Sequence, residues 1–232
     1  MNGKGYINPQ LLISAEELKS RIDDTDICIV DTRPTHEYVI GRIPNAIHLD
    51  LYGISLNDTS EAPFNAFMWT IAHLFGARGV DSRKTIVWYE NISGVRAARG
   101  FWFCEYFGHD NVQVLDGGYN AWITAMGRVS FGATIPDEVP PFPINPQADS
   151  HIGTADILDQ LDQDDFAVLD TRSGDEHYGR IARAARGGAI PGSVHIEWLN
   201  SLDKDGAFRP ADELQAMYRA AGITPEKCVM CY

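Results

Sequence analysis

The sequence of 232 residues contains no apolar run of about 18 residues or more, the length a membrane-crossing helix requires. Its first residues, Met1-Asn2-Gly3-Lys4-Gly5-Tyr6, lack the apolar stretch of a secretory leader. Cationic side chains are scarce: 19 Lys and Arg stand against 32 Asp and Glu, a formal net charge of -13. Such a chain is repelled by phosphate backbones and anionic lipid surfaces, which argues against nucleic acid or membrane as the main partner. An anionic substrate would have to be drawn by a local pocket rather than by the field of the whole molecule. Cysteine is also sparse. Cys28, Cys104, Cys228 and Cys231 are too few and too irregular for a disulfide scaffold, which points to reduced thiols and a cytoplasmic protein. Cys228 and Cys231 have C-x-x-C spacing, but no second Cys or His pair completes a four-ligand metal site. Their segment, Lys227-Cys-Val-Met-Cys-Tyr232, reads as a buried strand, in which residues three apart face opposite ways and serve as core.

What the sequence does contain is a repeat. Ile29-Val30-Asp31-Thr32-Arg33 recurs as Val168-Leu169-Asp170-Thr171-Arg172. Glu37-Tyr38 is echoed by Glu176-His177-Tyr178, and Gly41-Arg-Ile-Pro-Asn-Ala-Ile-His48 by Gly188-Ala-Ile-Pro-Gly-Ser-Val-His195. Gly79-Val80 through Lys84 matches Gly222-Ile223 through Lys227. Blocks that recur in the same order indicate a duplication.

The local signals agree on the order of elements. Ser14 with Glu17 forms a capping-box pattern before a short helix, and Ile27 to Val30 is an apolar strand. Asn65 to Phe75 has helical spacing and is expected to stop at Gly76. Thr85 to Tyr89 is a second strand, Gly94 to Phe107 a helix ended by Gly108, and Val112 to Leu115 a third strand turned by Asp116-Gly117-Gly118. Apolar strands alternating with helices predict an α/β fold, with parallel sheets flanked by helices. Residues 1–130 form the first expected domain, the proline-rich stretch 131–148 around Pro140-Pro141 an extended linker, and 149–232 the second domain.

Asp-Thr-Arg, then Glu-Tyr, then Gly-x-Ile-Pro, and later Leu115-Asp-Gly-Gly-Tyr-Asn-Ala-Trp122, resemble the rhodanese module. Arg183-Ala-Ala-Arg186-Gly-Gly-Ala-Ile-Pro-Gly192 is similar to the same region of bacterial thiosulfate sulfurtransferases. The likeness runs from about Leu12 to Tyr232, twice and in order. It implies two tandem rhodanese-like modules packed together, the first without a nucleophile, the second carrying a reactive cysteine on a short loop between strand and helix. Loop N–H groups and the helix dipole would cradle an anion and lower the thiol pKa. The implied partners are a small anionic sulfur donor, thiosulfate or alternatively mercaptopyruvate, and a thiol or cyanide acceptor. No metal or organic cofactor is implied.

Two departures from that pattern stand out. In the first module the residue after Tyr89 is Glu90, a carboxylate expected to fill the cradle itself and to pair with Arg96. Glu90 followed by Arg96 six positions on has phosphatase-like spacing, again without a nucleophile. In the second module the strand ends at Tyr232, and the reactive cysteine is expected to follow it, so that this module is incomplete in the sequence. Asp170 and Arg172, like Asp31 and Arg33, are expected to brace the loop framework. Arg183 and Arg186 are the candidate cations for the substrate, because Glu176 stands where some relatives place an arginine. His48 and His195, at equivalent positions, are expected to share a structural role. A non-catalytic binding module is the rival reading.

Overall fold

The computed structural model describes residues 3–56 and 58–232. The chain divides into two units: Ile7–His151 with Lys204–Phe208, and Gly3–Tyr6 with Ile152–Asp203 and Arg209–Tyr232. Each is described separately.

The first unit contains β1 (Leu12–Ile13), α1 (Ala15–Ser20), β2 (Ile27–Asp31), α2 (Thr35–Ile40) and β3 (Ile47–His48). It continues with α3 (Glu61–Ala77), β4 (Thr85–Tyr89), α4 (Val95–Tyr106), β5 (Val112–Leu115) and α5 (Gly118–Thr124). Its strands form one parallel sheet in the order β1-β5-β4-β2-β3. Every residue of β2 is buried, as a parallel strand covered on both faces requires. Alternate residues of the strands feed two cores. Val30, Ile86 and Trp88 pack with Phe75 and Phe103 on one face, while Ile29, Val87 and Tyr89 pack with Leu18 and Trp122 on the other. Ser14 caps α1 as the sequence indicates, accepting the Glu17 N–H at 3.2 Å.

α3 runs past Gly76, where the sequence predicted its stop. A Cβ at Gly76 would lie 2.8 Å from the carbonyl oxygens of both Val139 and Pro140, so this glycine serves a close backbone crossing. The turn out of the helix falls at Gly79, with φ +78°. The crossing chain is the proline-rich stretch, which lies on the first unit as a strap. Val139 N–H donates to Gly76 O and Phe142 N–H to Ala72 O, both at 3.0 Å. Phe142 is buried against Phe75 and Phe107. Arg42 reaches the strap through Gly132 O and, at 2.7 Å, Thr134 Oγ1. The first unit therefore extends to His151 and takes in the stretch 131–148 expected as a linker, because a segment without periodicity still bonds through its backbone and one aromatic anchor.

The second unit holds α6 (Thr154–Gln160), β6 (Phe166–Asp170), the helical turn α7 (Gly174–His177), β7 (Val194–His195), α8 (Ala211–Ala220) and β8 (Cys228–Cys231). Its sheet is parallel, in the order β7-β6-β8. β6 and β8 repeat the register of β2 and β4: Leu169 pairs with Cys231 as Val30 pairs with Trp88. β8 has one neighbouring strand among the described residues, and Cys228 and Cys231 are exposed rather than core. Met230 turns inward with Phe166 and Val168.

Truncating the strap's anchor tests its attachment. Phe142→Ala should cost the first unit about 3–5 kcal/mol in urea denaturation and open residues 131–148 to limited proteolysis. An unchanged proteolytic pattern would show that the backbone bonds alone hold the strap.

Candidate functional site

Each unit carries the same frame at the C-terminal end of an interior strand, β2 in the first and β6 in the second. In the first, Asp31 is fully buried and Arg33 nearly so. Arg33 Nη2 donates to Asp31 Oδ2 at 2.6 Å and to Gly41 O at 2.7 Å, and its guanidinium lies 3.9 Å from the centre of the Tyr119 ring. The Tyr89 hydroxyl donates to Asp31 Oδ2 and accepts the Ile43 N–H at 3.2 Å. Burial, with the Asp31 charge beside it, pushes the Tyr89 phenol well above its ordinary range. Thr32 donates both its N–H and its hydroxyl to Tyr89 O, each at 2.9 Å. His48 Nε2 lies 2.8 Å from Arg33 O; a carbonyl only accepts, so this nitrogen carries the proton. One ion pair thereby ties the β2 end, the Gly41–Ile43 turn and the last residue of β4 together.

The residue after β4 opens the loop into α4. Glu90 folds its carboxylate under that helix, and Oε1 accepts the Arg96 N–H at 2.7 Å. A Cβ at Gly94 would sit 2.5 Å from the same oxygen, so glycine leaves the room that the carboxylate fills. The expected charge pairing of Glu90 with Arg96 is not what forms. Arg96 gives Glu90 only its backbone N–H, and its guanidinium turns to Asp50 at 2.6 Å and to the Tyr52 ring. The first residues of a helix have unpaired N–H groups pointing at the loop, while their side chains radiate outward. Asn91 donates to Glu37 Oε2 at 2.7 Å, which fixes the loop's flank. The Asp116-Gly-Gly turn closes it from the other side. A Cβ at Gly118 would fall 2.4 Å from Glu90 O, and Tyr119 N–H donates to that oxygen at 2.7 Å. Ser93 N–H donates to Gly206 O at 2.8 Å.

In the second unit Asp170 is fully buried and ion-paired with Arg172 at 2.7 Å. Burial opposes the charge on Asp170, but hydrogen bonds from Arg172 and His177 outweigh it and hold the carboxyl well below the usual range. Arg172 Nη2 also reaches Gly188 O at 2.9 Å, and its guanidinium lies 4.7 Å from the Tyr232 ring centre. Thr171 donates twice to Tyr232 O, as Thr32 does to Tyr89 O. His195 Nε2 lies 2.9 Å from Arg172 O, the counterpart of His48. The shared role expected for the two histidines is thus found in both units.

One difference between the two frames lies at His177. His177 occupies the place of Tyr38 and puts Nδ1 3.0 Å from Asp170 Oδ2, where the first unit has the Tyr89 hydroxyl. The only signal was a departure from the repeat at that single position. Tyr232 keeps the other bond of Tyr89, accepting the Ile190 N–H at 2.8 Å as Tyr89 accepts that of Ile43, and its hydroxyl donates to Ser193 Oγ at 3.4 Å.

Arg183 is tied to Glu176 at 2.8 Å through Nε but remains largely exposed. Arg186 is exposed and forms no ion pair among the described residues. The cysteines stand away from the loop positions. Cys28 and Cys104 are buried, which pushes both thiols up, while Cys228 and Cys231 on β8 are exposed. No cluster of His, Cys, Asp and Glu among the described residues suits a metal ion.

Two substitutions test this geometry. Burial raises the Glu90 pKa, with hydrogen bonds from Arg96 and Ala97 opposing it less strongly. The fold therefore holds this proton more tightly than the unfolded chain, and ionisation lowers stability as pH rises through the raised pKa. Glu90→Gln should be at least as stable as the parent at pH 7, with the gap closing as pH falls towards 4. Loss of stability at pH 7 would mean that the carboxylate's bonds outweigh its burial. Asp31→Asn strands a buried guanidinium and should cost about 3–5 kcal/mol in urea denaturation. Asp170→Asn should cost less, because the Arg172 side chain, 32% exposed, can turn to water. Equal losses would remove the distinction between the two frames.

A profile of the rhodanese-like domain matches residues 14–125. Across 98% of the chain and 84% of the relative, the sequence is 28% identical to a protein named sulfur carrier protein TtuD from Thermus thermophilus. It is also 28% identical to the thiosulfate sulfurtransferase of Azotobacter vinelandii, over 96% of this chain and 82% of that one. The crystal structure of the 3-mercaptopyruvate sulfotransferase SseA from Escherichia coli superposes with a TM-score of 0.82 at 23% identity, covering 95% of this chain and 87% of that one. The last likeness is one of fold. With the repeated Asp-Thr-Arg frame and the strand-to-helix loop described above, these matches make residues 14–125 a rhodanese-like domain within a chain that is similar, over almost its whole length, to proteins named for sulfur transfer.

Proposed function

We propose that this chain serves a sulfurtransferase that moves the outer sulfur of thiosulfate to cyanide or a thiol through a cysteine persulfide, with the cysteine following Tyr232. The observation that carries the reading is the shared register of β4 and β8, which puts Tyr232 in the place of Tyr89. The next position is then the one that Glu90 holds in the first unit, beneath the first N–H groups of a helix. A thiolate there would lie in a field that favours negative charge. The names of the relatives support the same chemistry.

The reaction balances as two displacements. The thiolate attacks the sulfane sulfur of thiosulfate, the S–S bond breaks, and sulfite leaves with its electron pair. The persulfide's terminal sulfur then passes to cyanide as thiocyanate, or to a thiol, and the cysteine thiolate returns. Such a mechanism is ping-pong. Asp170 and Arg172 hold the strand end from which the loop departs. Arg183 and Arg186 supply positive charge for the donor on a chain that is otherwise acidic. Glu90, with the Arg96 N–H, keeps the first unit's cradle occupied by its own carboxylate, so that this loop takes no part in transfer. Donor and acceptor are small molecules, no cofactor enters, and free thiols suit a reducing cytoplasm. No helix among the described residues is long and apolar enough to cross a membrane.

The full protein, incubated with thiosulfate and mapped by non-reducing peptide mass spectrometry beyond Tyr232, should show a cysteine at the next position bearing one added sulfur. Cyanide should remove that sulfur as thiocyanate; loading by mercaptopyruvate but not thiosulfate would reassign the donor. A residue other than cysteine there would end the catalytic reading and leave a binding module.

A further inference from the structure

The second unit contains a cavity of about 150 Å³ at the N-terminal end of β6, the opposite end of that strand from Asp170. Its walls are largely apolar, with Leu161, Phe166, Val168, Pro191 and Val194 among them. β7 pairs with β6 at Leu169 and Asp170, and the cavity opens beside the part of β6 that β7 leaves unpaired. The repeat shows how this space arises. Three residues that line it, Ala167, Gly192 and Ala221, stand where the first unit has Cys28, Asn45 and Arg78. In the first unit all three of those larger side chains are engaged. Cys28 Sγ lies 3.6 Å from Gly79 O, Asn45 Nδ2 donates to Ile22 O at 2.9 Å, and Arg78 Nη2 donates to His48 O at 2.7 Å. Alanine and glycine reach none of the corresponding partners. A Cβ at Gly192 or at Gly222 would meet no atom within 4 Å.

The comparison extends to charge. Lys84 of the first unit lies within electrostatic reach of Asp81, a buried carboxylate. Its counterpart Lys227 lines the cavity, and Thr224 stands in the place of Asp81. Both lysines follow the same turn: Lys84 N–H donates to Asp81 O and Lys227 N–H to Thr224 O, each at 3.1 Å. Lys227 forms no ion pair among the described residues. Its neighbour Glu226 is held by the Thr224 side chain. Losses of side-chain volume at three positions far apart in sequence thus converge on one hollow, and the carboxylate that accompanies the lysine is lost with them. What results is an apolar space with one cation in its wall. Beside apolar walls a cation attracts an anion more strongly than in open water. A hollow of this volume admits a molecule of about the size of benzene.

We propose that this cavity is a binding site for a small organic carboxylate, its apolar body against Phe166, Val168 and Val194 and its charged end on Lys227. An aromatic or branched-chain monocarboxylate meets both requirements. An inorganic anion lacks the body, and a neutral apolar molecule lacks the charge, so each binds more weakly. The site shares no lining residue with the Asp170–Arg172 frame or with Arg183 and Arg186. It therefore stands apart from the sulfurtransferase reading, and its test needs no turnover.

The experiment is a titration of the full chain with benzoate, followed through its amide resonances by NMR. Those of Phe166, Val168, Val194 and Gly222 should move together and saturate, with a dissociation constant of about 1 mM or tighter. Benzamide, of the same shape but uncharged, should bind about tenfold more weakly. Lys227→Met should bring benzoate down to the level of benzamide and leave benzamide where it was. Ala167→Cys combined with Gly192→Asn restores two residues of the first unit. Asparagine suits the φ of +79° at Gly192, as it does the +63° at Asn45. This filled variant should keep an otherwise unchanged spectrum and bind neither probe. Should it fail to fold, Lys227→Met and the pair of probes still decide the matter. Shifts that do not saturate, or that scatter over the surface, would overturn the proposal. So would a benzoate affinity indifferent to Lys227→Met, or one preserved in the filled variant.

Discussion

A carboxylate at the end of β2 or β6, paired with a guanidinium two residues on, is the constraint on which the rest of each unit hangs. Asp31 and Asp170 are both fully buried, and neither could carry its charge there without a partner. The partner comes from so near in sequence that the chain must bend sharply after the strand. The same guanidinium then reaches the Gly41 or Gly188 carbonyl and the tyrosine that ends the neighbouring strand. A local ion pair of this kind stabilises little as an isolated contact. Its value lies in the three segments it brings to one point, from which the strand-to-helix loop starts.

Much of this could be read from the sequence, because the frame residues are close together and occur twice. Asp-Thr-Arg and the Ile-Pro turn set the register of both halves, and Glu90 is visible as the residue that opens the first loop. The differences share a physical origin. Gly76 reads as a helix stop because glycine's cost in a helix is a local property, whereas its reason for being there is the Val139–Pro140 backbone crossing over it. Residues 131–148 read as a linker because backbone hydrogen bonds to Gly76, Ala72, Phe107 and Tyr106 leave no pattern in side-chain hydropathy. Arg96 pairs with Glu90 on charge alone, while helical geometry sends its side chain to Asp50. Cys228 and Cys231 read as core by periodicity, which cannot count a strand's neighbours; β8 has one among the described residues.

The two units also show how a duplicated frame diverges without losing its geometry. The histidine on β3 or β7 keeps its bond to the arginine carbonyl in both, at 2.8 and 2.9 Å. The threonine keeps both of its bonds to the tyrosine carbonyl. Within this frame the change falls on the atom that completes the aspartate's hydrogen bonding, a phenol in one unit and an imidazole in the other. A substitution there alters chemistry while the backbone stays in position.

The Glu90 carboxylate beneath α4 has a further consequence, one of concentration. A ligand joined to its site by a few bonds of its own chain meets that site at an effective concentration no free solute approaches. A solution anion entering the first cradle would have to displace a competitor that cannot diffuse away.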